Sequence, residues 1–180
     1  LASPDLTQAQ AKVFDRRVLF WVALILMLVV DQLVKAWARQ TFAVNTNALG
    51  GAPFPGIFEL TLTYNEGIAF GLFQGRGVLL TPVAILMAAA AGVYSWRHPK
   101  EHAVTQVAMG LLASGALGNL IDRLFLKHVT DLFYFRLINF PVFNVADACI
   151  TVSAILLIGT WLFDALRTQA TKKPDDARAS

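Results

Sequence analysis

Four apolar stretches leave this chain little choice of fold. They cover residues 18–37, 78–96, 103–121 and 145–166. About 20 apolar residues in a helix cross the hydrocarbon core of a bilayer. A helix also satisfies its backbone hydrogen bonds internally, as lipid demands. The 180-residue chain is 56% hydrophobic and only 15% charged, whereas soluble domains carry about a quarter charged residues. The pattern predicts one integral membrane domain over residues 1–180, an all-α polytopic membrane protein with four transmembrane helices. Lys12, Arg16 and Arg17 before the first run resemble the start of a signal peptide. No small-residue cleavage site follows and the run continues to helical length, so it is read as a retained span. The chain starts at Leu1 without a methionine, which points to a processed or trimmed start. Residues 1–15 are polar, and the charged tail from Arg167 is expected to be disordered.

Residues 41–76 change character. Asn, Thr, Gly and Pro enter, and Phe58-Glu59-Leu60-Thr61-Leu62-Thr63-Tyr64 alternates as a short strand does. A small β element is expected there, lying on the membrane surface, because an open sheet edge cannot face lipid tails. In the third span Gly110, Ser114 and Gly118 recur every four residues, a face suited to close helix packing. Four spans place both termini on one side, together with nine of the fifteen basic residues, so that side is expected to be cytoplasmic. The β element, the ends of spans one and three, and residues 131–147 then share the outer or periplasmic face.

The net charge of +3 comes from these short flanking groups, with no basic stripe interleaved with aromatics, so nucleic acid is not an expected partner. The single cysteine, Cys149, excludes an intrachain disulfide and reads as a small core residue. His98, His102 and His128 make no plausible metal set, and no nucleophile elbow, P-loop or dinucleotide fingerprint occurs.

Six carboxylates fall on the outward half: Asp31, Glu59, Glu66, Asp122, Asp131 and Asp147. Asp31 and Lys35 are four apart on one helix face and are read as an ion pair tethering the end of span one, with direct chemistry as the alternative. Glu59 and Glu66 are expected to be solvated. Asp122, beside Arg123 and three residues after Asn119, reads equally as a polar knot or as a catalytic group. Asn144 is a good N-cap for span four and puts Asp147 at N3, where it can reach back in a capping-box arrangement. The same placement sets Asp147 at the membrane surface, where a helix N-terminus favours its ionised form. Asp131 lies among Val129, Leu132 and Phe133, in an expected loop, and such surroundings favour a neutral acid. Two acids pushed in opposite directions are what an aspartic protease uses, one as base and one as proton donor. Intramembrane acids also admit a second reading, a small proton- or ion-coupled membrane transporter.

Five segments in order carry a family resemblance: Asp31-Gln32-Leu33-Val34-Lys35; Asn65-Glu66-Gly67-Ile68-Ala69-Phe70-Gly71; Gly115-Ala116-Leu117-Gly118-Asn119-Leu120-Ile121-Asp122-Arg123; Val129-Thr130-Asp131-Leu132-Phe133; and Phe140-Pro141-Val142-Phe143-Asn144-Val145-Ala146-Asp147. The chain resembles the bacterial lipoprotein signal peptidases (signal peptidase II). The resemblance implies an inner-membrane aspartic endopeptidase that removes signal peptides from diacylglyceryl-modified prolipoproteins, N-terminal to the lipidated cysteine. It implies no metal or organic cofactor. It maps the catalytic acids to Asp131 and Asp147; the first motif departs slightly, reading Asp131-Leu132-Phe133, with the Asp position intact. It makes Asp122 a supporting residue, and it places Asn65, Gly67, Asn119, Arg123 and Asn144 around the site, with Asp31 and Lys35 in support. The β element becomes a small extracytoplasmic β-cradle for the substrate. Membrane lipids are the other expected partners, and the chain is expected to be a monomer.

Overall fold

A computed structural model describes residues 15–46, 50–67 and 77–176. The polar N-terminal stretch and residues 68–71 of the second motif lie outside these. In chain order the elements are helix α1 (Arg17–Thr41), strands β1 (Pro53–Phe54) and β2 (Phe58–Asn65), and a 3-10 turn (Gly77–Leu80) leading into α2 (Thr81–Arg97). Then come α3 (Ala103–Phe125), β3 (Val129–Tyr134), a second 3-10 turn (Arg136–Ile138) and α4 (Val145–Asp176).

Helix α3 is the axis of the bundle. Its small residues let the other helices approach at backbone distance. A Cβ on Gly110 would lie 2.5 Å from the Phe20 carbonyl oxygen of α1. One on Gly115 would collide with the Ala146 carbonyl oxygen of α4. Gly118 faces both neighbours, with Asp31 of α1 and Ala146 of α4 against it. Two small apolar clusters complete the packing of α3: Phe20, Ala91 and Ala113 towards one end, and Ala84, Ala116 and Leu120 towards the other. The outer faces of α1, α2 and α4 expose large apolar side chains such as Leu33, Leu86, Trp96, Ile155 and Trp161. A soluble monomer rarely shows so continuous an apolar surface.

Helices α1, α3 and α4 are long and apolar enough to cross a membrane. Helix α2, at 17 residues, is shorter, although the 3-10 turn extends it at its start. Helix α4 does not stop where the apolar run ends. It continues to Asp176, correcting the expected disorder from Arg167. Leu166, Arg167, Gln169 and Ala170 are all strong helix formers, so the helix outlasts its apolar run.

The turn after α2 is tied to the start of α1: the Arg16 backbone N–H donates to the Pro99 carbonyl (3.1 Å), and the Arg16 side chain donates to the Glu101 carbonyl (3.2 Å). At the opposite end sits an antiparallel sheet of order β1-β2-β3. The sequence shows β2 but not β3. Residues 129–134, read as a loop, pair with β2 in the register Thr63↔Asp131 and Asn65↔Val129. Val, Thr, Phe and Tyr favour a strand, but the partner is some 66 residues distant. A bulge in β2 between Leu60 and Thr63 resets the alternation. Leu62 and Leu132 then bury against Ala38 of α1, which seats the sheet on the bundle.

Glu59 is a second correction. It is 3% exposed rather than solvated. It accepts from the Gly56 backbone N–H (2.8 Å) and pairs with Arg136 (2.6 Å). The Gly56 N–H first, and Arg136 after it, hold its carboxyl below the usual range. Glu66 is exposed, as expected.

Candidate active site

Asp131 comes from β3 and Asp147 from the first turn of α4. Both line one cavity of about 1080 Å³ between α2, α3, α4 and the sheet. Its lower wall is apolar, with Val83, Met87, Ala116 and Ile150. Its upper wall carries Asn65, Asn119, Arg123 and the two acids.

Three asparagines connect the acids, and each is oriented by chemistry that permits one choice. The Asn144 Oδ1 accepts the Asp147 backbone N–H (3.0 Å), so its amide nitrogen turns the other way and donates to Asp131 Oδ1 (2.7 Å). The Asn65 Oδ1 accepts the Gly67 backbone N–H (2.9 Å), so its amide nitrogen donates to Asp131 Oδ2 (3.1 Å). The Asn119 Oδ1 accepts from the Lys35 ammonium (3.0 Å), and its amide nitrogen donates to Asp147 Oδ1 (2.8 Å). Ammonium and backbone N–H groups only donate, so none of the three amides can be turned round without loss. Asp147 Oδ2 accepts the Asn144 backbone N–H (3.2 Å), which completes the capping pair expected from the spacing.

Asn144 therefore touches both acids, Asp131 through its side chain and Asp147 through its backbone. Asp131 is 2% exposed. Burial first, and the neighbouring Asp147 carboxylate second, push its carboxyl up to about 7, against the opposing hydrogen bonds from Asn144 and Asn65.

Around this core lies a ring of support. Asp31, 0% exposed, accepts the Ala146 backbone N–H (2.9 Å), a group that the first turn of α4 leaves without a helical partner. Asp31 also pairs with Lys35 at 2.9 Å, as the spacing predicts. Asp122 does not line the cavity. Its Oδ2 accepts the Thr130 backbone N–H (2.9 Å) and lies 3.3 Å from Lys35, so it anchors β3 one residue before Asp131. Asp122 thus stands in a polar knot with Lys35 and the Thr130 N–H. Arg123 does line the cavity, and its buried Nε has no hydrogen-bond partner among the described residues. Asn119 also lines the cavity, with its amide turned to Asp147.

Two supporting residues escape the sequence reading. Arg39 donates to the Thr130 hydroxyl (2.9 Å) and lies 3.9 Å from Asp122. The Gln32 amide donates to Asp31 (3.0 Å) and to the Gly118 carbonyl (3.2 Å). Arg39 was findable: Asp31, Lys35 and Arg39 follow each other at four-residue spacing on one face of α1.

A family model described as "Signal peptidase (SPase) II" matches residues 23–163. A lipoprotein signal peptidase of Gloeobacter violaceus is 42% identical over 156 residues, 86% of this chain and 88% of that protein. One from Streptococcus pyogenes is 39% identical, covering 78% of this chain and 90% of its own length. A solved bacterial membrane enzyme superposes with a TM-score of 0.71 at 28% identity, covering 81% of this chain and 88% of that one. None of these likenesses supports a transporter.

Proposed function

The chain belongs to the signal peptidase II family of membrane aspartic peptidases, which cleave lipoprotein signal peptides, and on that premise we propose that Asp131 and Asp147 are its reacting pair. The observation that carries the proposal is the placement of both acids in one cavity wall, joined through Asn144.

Asp131 enters the reaction protonated and Asp147 ionised. Asp147 removes a proton from a water held between them, and the water oxygen attacks the scissile carbonyl carbon. Asp131 gives its proton to the carbonyl oxygen. The tetrahedral diol then collapses: one hydroxyl gives its proton back to Asp131 as the carbonyl re-forms, the C–N bond breaks, and the amine nitrogen takes the proton that Asp147 removed from water. The products are a signal peptide ending in a carboxyl group and a lipidated cysteine with a free amino group. Arg123, with its buried and uncommitted Nε, donates to a carbonyl of the bound peptide. The diacylglyceryl chains lie in the bilayer beside the helices, so membrane burial supplies much of the binding. The chain acts as a monomer and needs no cofactor.

The 3-10 turn and α2 together give about 33 Å of helix, enough for a fourth crossing. Arg16, Arg17, Arg97 and Lys100 gather at one end through the Arg16–Pro99 contact, which favours that end as cytoplasmic. The sheet and the acids then face outward.

The direct test is cleavage by purified protein of a synthetic prolipopeptide with and without diacylglyceryl on its cysteine, read by mass spectrometry with chelator present. Cleavage N-terminal to the lipidated cysteine alone is expected. Equal cleavage of the bare peptide, or none of either, contradicts the reading.

A pH dependence follows from the raised Asp131. Its proton is held until about pH 7, so kcat/KM should fall as pH rises through that region and the proton donor is lost. The two acids titrate as a pair, so the limb belongs to the pair rather than to one residue. A rate that stays flat from pH 6 to about pH 9 argues against it.

A further inference from the structure

We propose that Lys35 is a positioning residue of the reacting pair, acting through the Asn119 side-chain amide on Asp147. The proposal rests on the reading of Asp131 and Asp147 as the dyad. An ammonium group has three N–H donors and no acceptor. Lys35, 1% exposed, directs one to Asp31 Oδ2 (2.9 Å) and one to Asp122 Oδ2 (3.3 Å). Asp31 shares α1 with Lys35, so the Asp122 contact already suffices to tie α1 to α3. The third goes to Asn119 Oδ1 (3.0 Å), across the bundle and one side chain away from Asp147.

That third donor has a consequence for the amide. With Oδ1 committed to Lys35, Asn119 can present only its NH2 group to Asp147. The same Oδ1 accepts from Asn144 (3.1 Å), whose amide also donates to Asp131 (2.7 Å). One buried cation thereby fixes an amide that touches one acid directly and the other through Asn144. Remove the cation, and Asn119 Oδ1 keeps only the Asn144 amide (3.1 Å), so the group that donates to Asp147 is held less firmly in place. A small misplacement of a reacting group costs rate rather than binding, so the loss should fall on kcat.

The experiment is a double-mutant cycle. Lys35→Met alone strands two buried carboxylates and endangers the fold. The test background is therefore Asp31→Asn/Lys35→Met, which neutralises one of the two and leaves Asp122 to the Thr130 N–H and Arg39. Asn119→Ala is made in this background and in the wild type, with melting temperature, kcat and KM measured on the lipidated prolipopeptide. In the wild type, Asn119→Ala is expected to lower kcat about 10- to 100-fold with KM little changed. The background should already show a loss of that size, and adding Asn119→Ala should change it by no more than about twofold. A second background, Asp31→Asn/Lys35→Gln, retains an N–H donor at position 35 and should regain part of kcat.

The proposal is overturned if the Asp31→Asn/Lys35→Met background turns over like the wild type, if the Gln background is no faster than the Met background, or if Asn119→Ala costs the same factor in the wild type and in the Met background. Asp147→Asn is carried as a separate arm. If it cleaves at the wild-type rate, the dyad reading has failed; if it is inactive while the cycle is additive, only the role of Lys35 has.

Discussion

Asp131→Asn and Asp147→Asn should each yield a folded protein whose kcat on a lipidated prolipopeptide is down about 10³-fold or more, since either change removes a proton donor or acceptor from the reacting pair. The fold should survive because each change spoils at most one hydrogen bond. In Asp131→Asn a new NH2 must meet the NH2 of either Asn144 or Asn65; in Asp147→Asn it must meet Asn119 or the Asn144 backbone N–H. One such mismatch costs about 1–3 kcal/mol.

The two variants differ in their pH response. Native Asp131 keeps its proton to about 7, while the unfolded chain releases it near the ordinary value of 3.8. Between those values the native state binds more protons, so stability falls as pH rises and levels off above the native value. Asp131→Asn should flatten that part of the stability curve, measured as melting temperature against pH. Near wild-type cleavage by either variant ends the dyad assignment.

Gly118→Ala should damage both stability and rate. Its Cβ would lie 2.6 Å from Asp31 Oδ2 and 3.2 Å from the Ala146 Cβ. Neither neighbour can yield cheaply. Asp31 is held by Lys35, Gln32 and the Ala146 N–H, and Ala146 belongs to the first turn of α4. Overpacking alone costs about 1–3 kcal/mol, and loosening a buried ion pair adds more. The same shift would tilt the start of α4 and carry Asp147 with it, at a cost of about 10²-fold in rate for a displacement near 1 Å. Gly92→Ala in α2 is the control: its Cβ would meet nothing within 4 Å, and a helical Gly→Ala change is favourable by about 0.5–1 kcal/mol. Thermal melts in detergent and a cleavage assay on both variants settle the matter. A Gly118→Ala protein as stable and active as Gly92→Ala would mean that α1, α3 and α4 do not meet as closely as described.

Much of this was readable from residue order. Apolar runs gave the helices, because the cost of an unpaired backbone group in lipid leaves few alternatives. Asp31 with Lys35, and Asn144 with Asp147, were readable because helical periodicity brings residues three or four apart together. The surroundings of Glu59 and Asp122, and the strand that carries Asp131, were not. Glu59 looked solvated until Arg136 covered it, some 77 positions away. Asp122 stood open between a polar knot and a catalytic group, and its direction was the missing fact: Asp122 points at Lys35 and the Thr130 N–H, whereas Asp131 lines the cavity.

The sequence by itself thus determined the helices, the capping of α4 and the list of residues able to do acid–base chemistry, all of which depend on near neighbours in the chain. Only the tertiary structure decided which acids meet. β3 pairs with β2 and α4 packs on α3, and these contacts join residues far apart in the chain. The Lys35 side chain on α1 orients an amide on α3 that faces an acid on α4. No local pattern encodes that meeting, because its geometry is set by how closely the glycines of α3 let three helices pack.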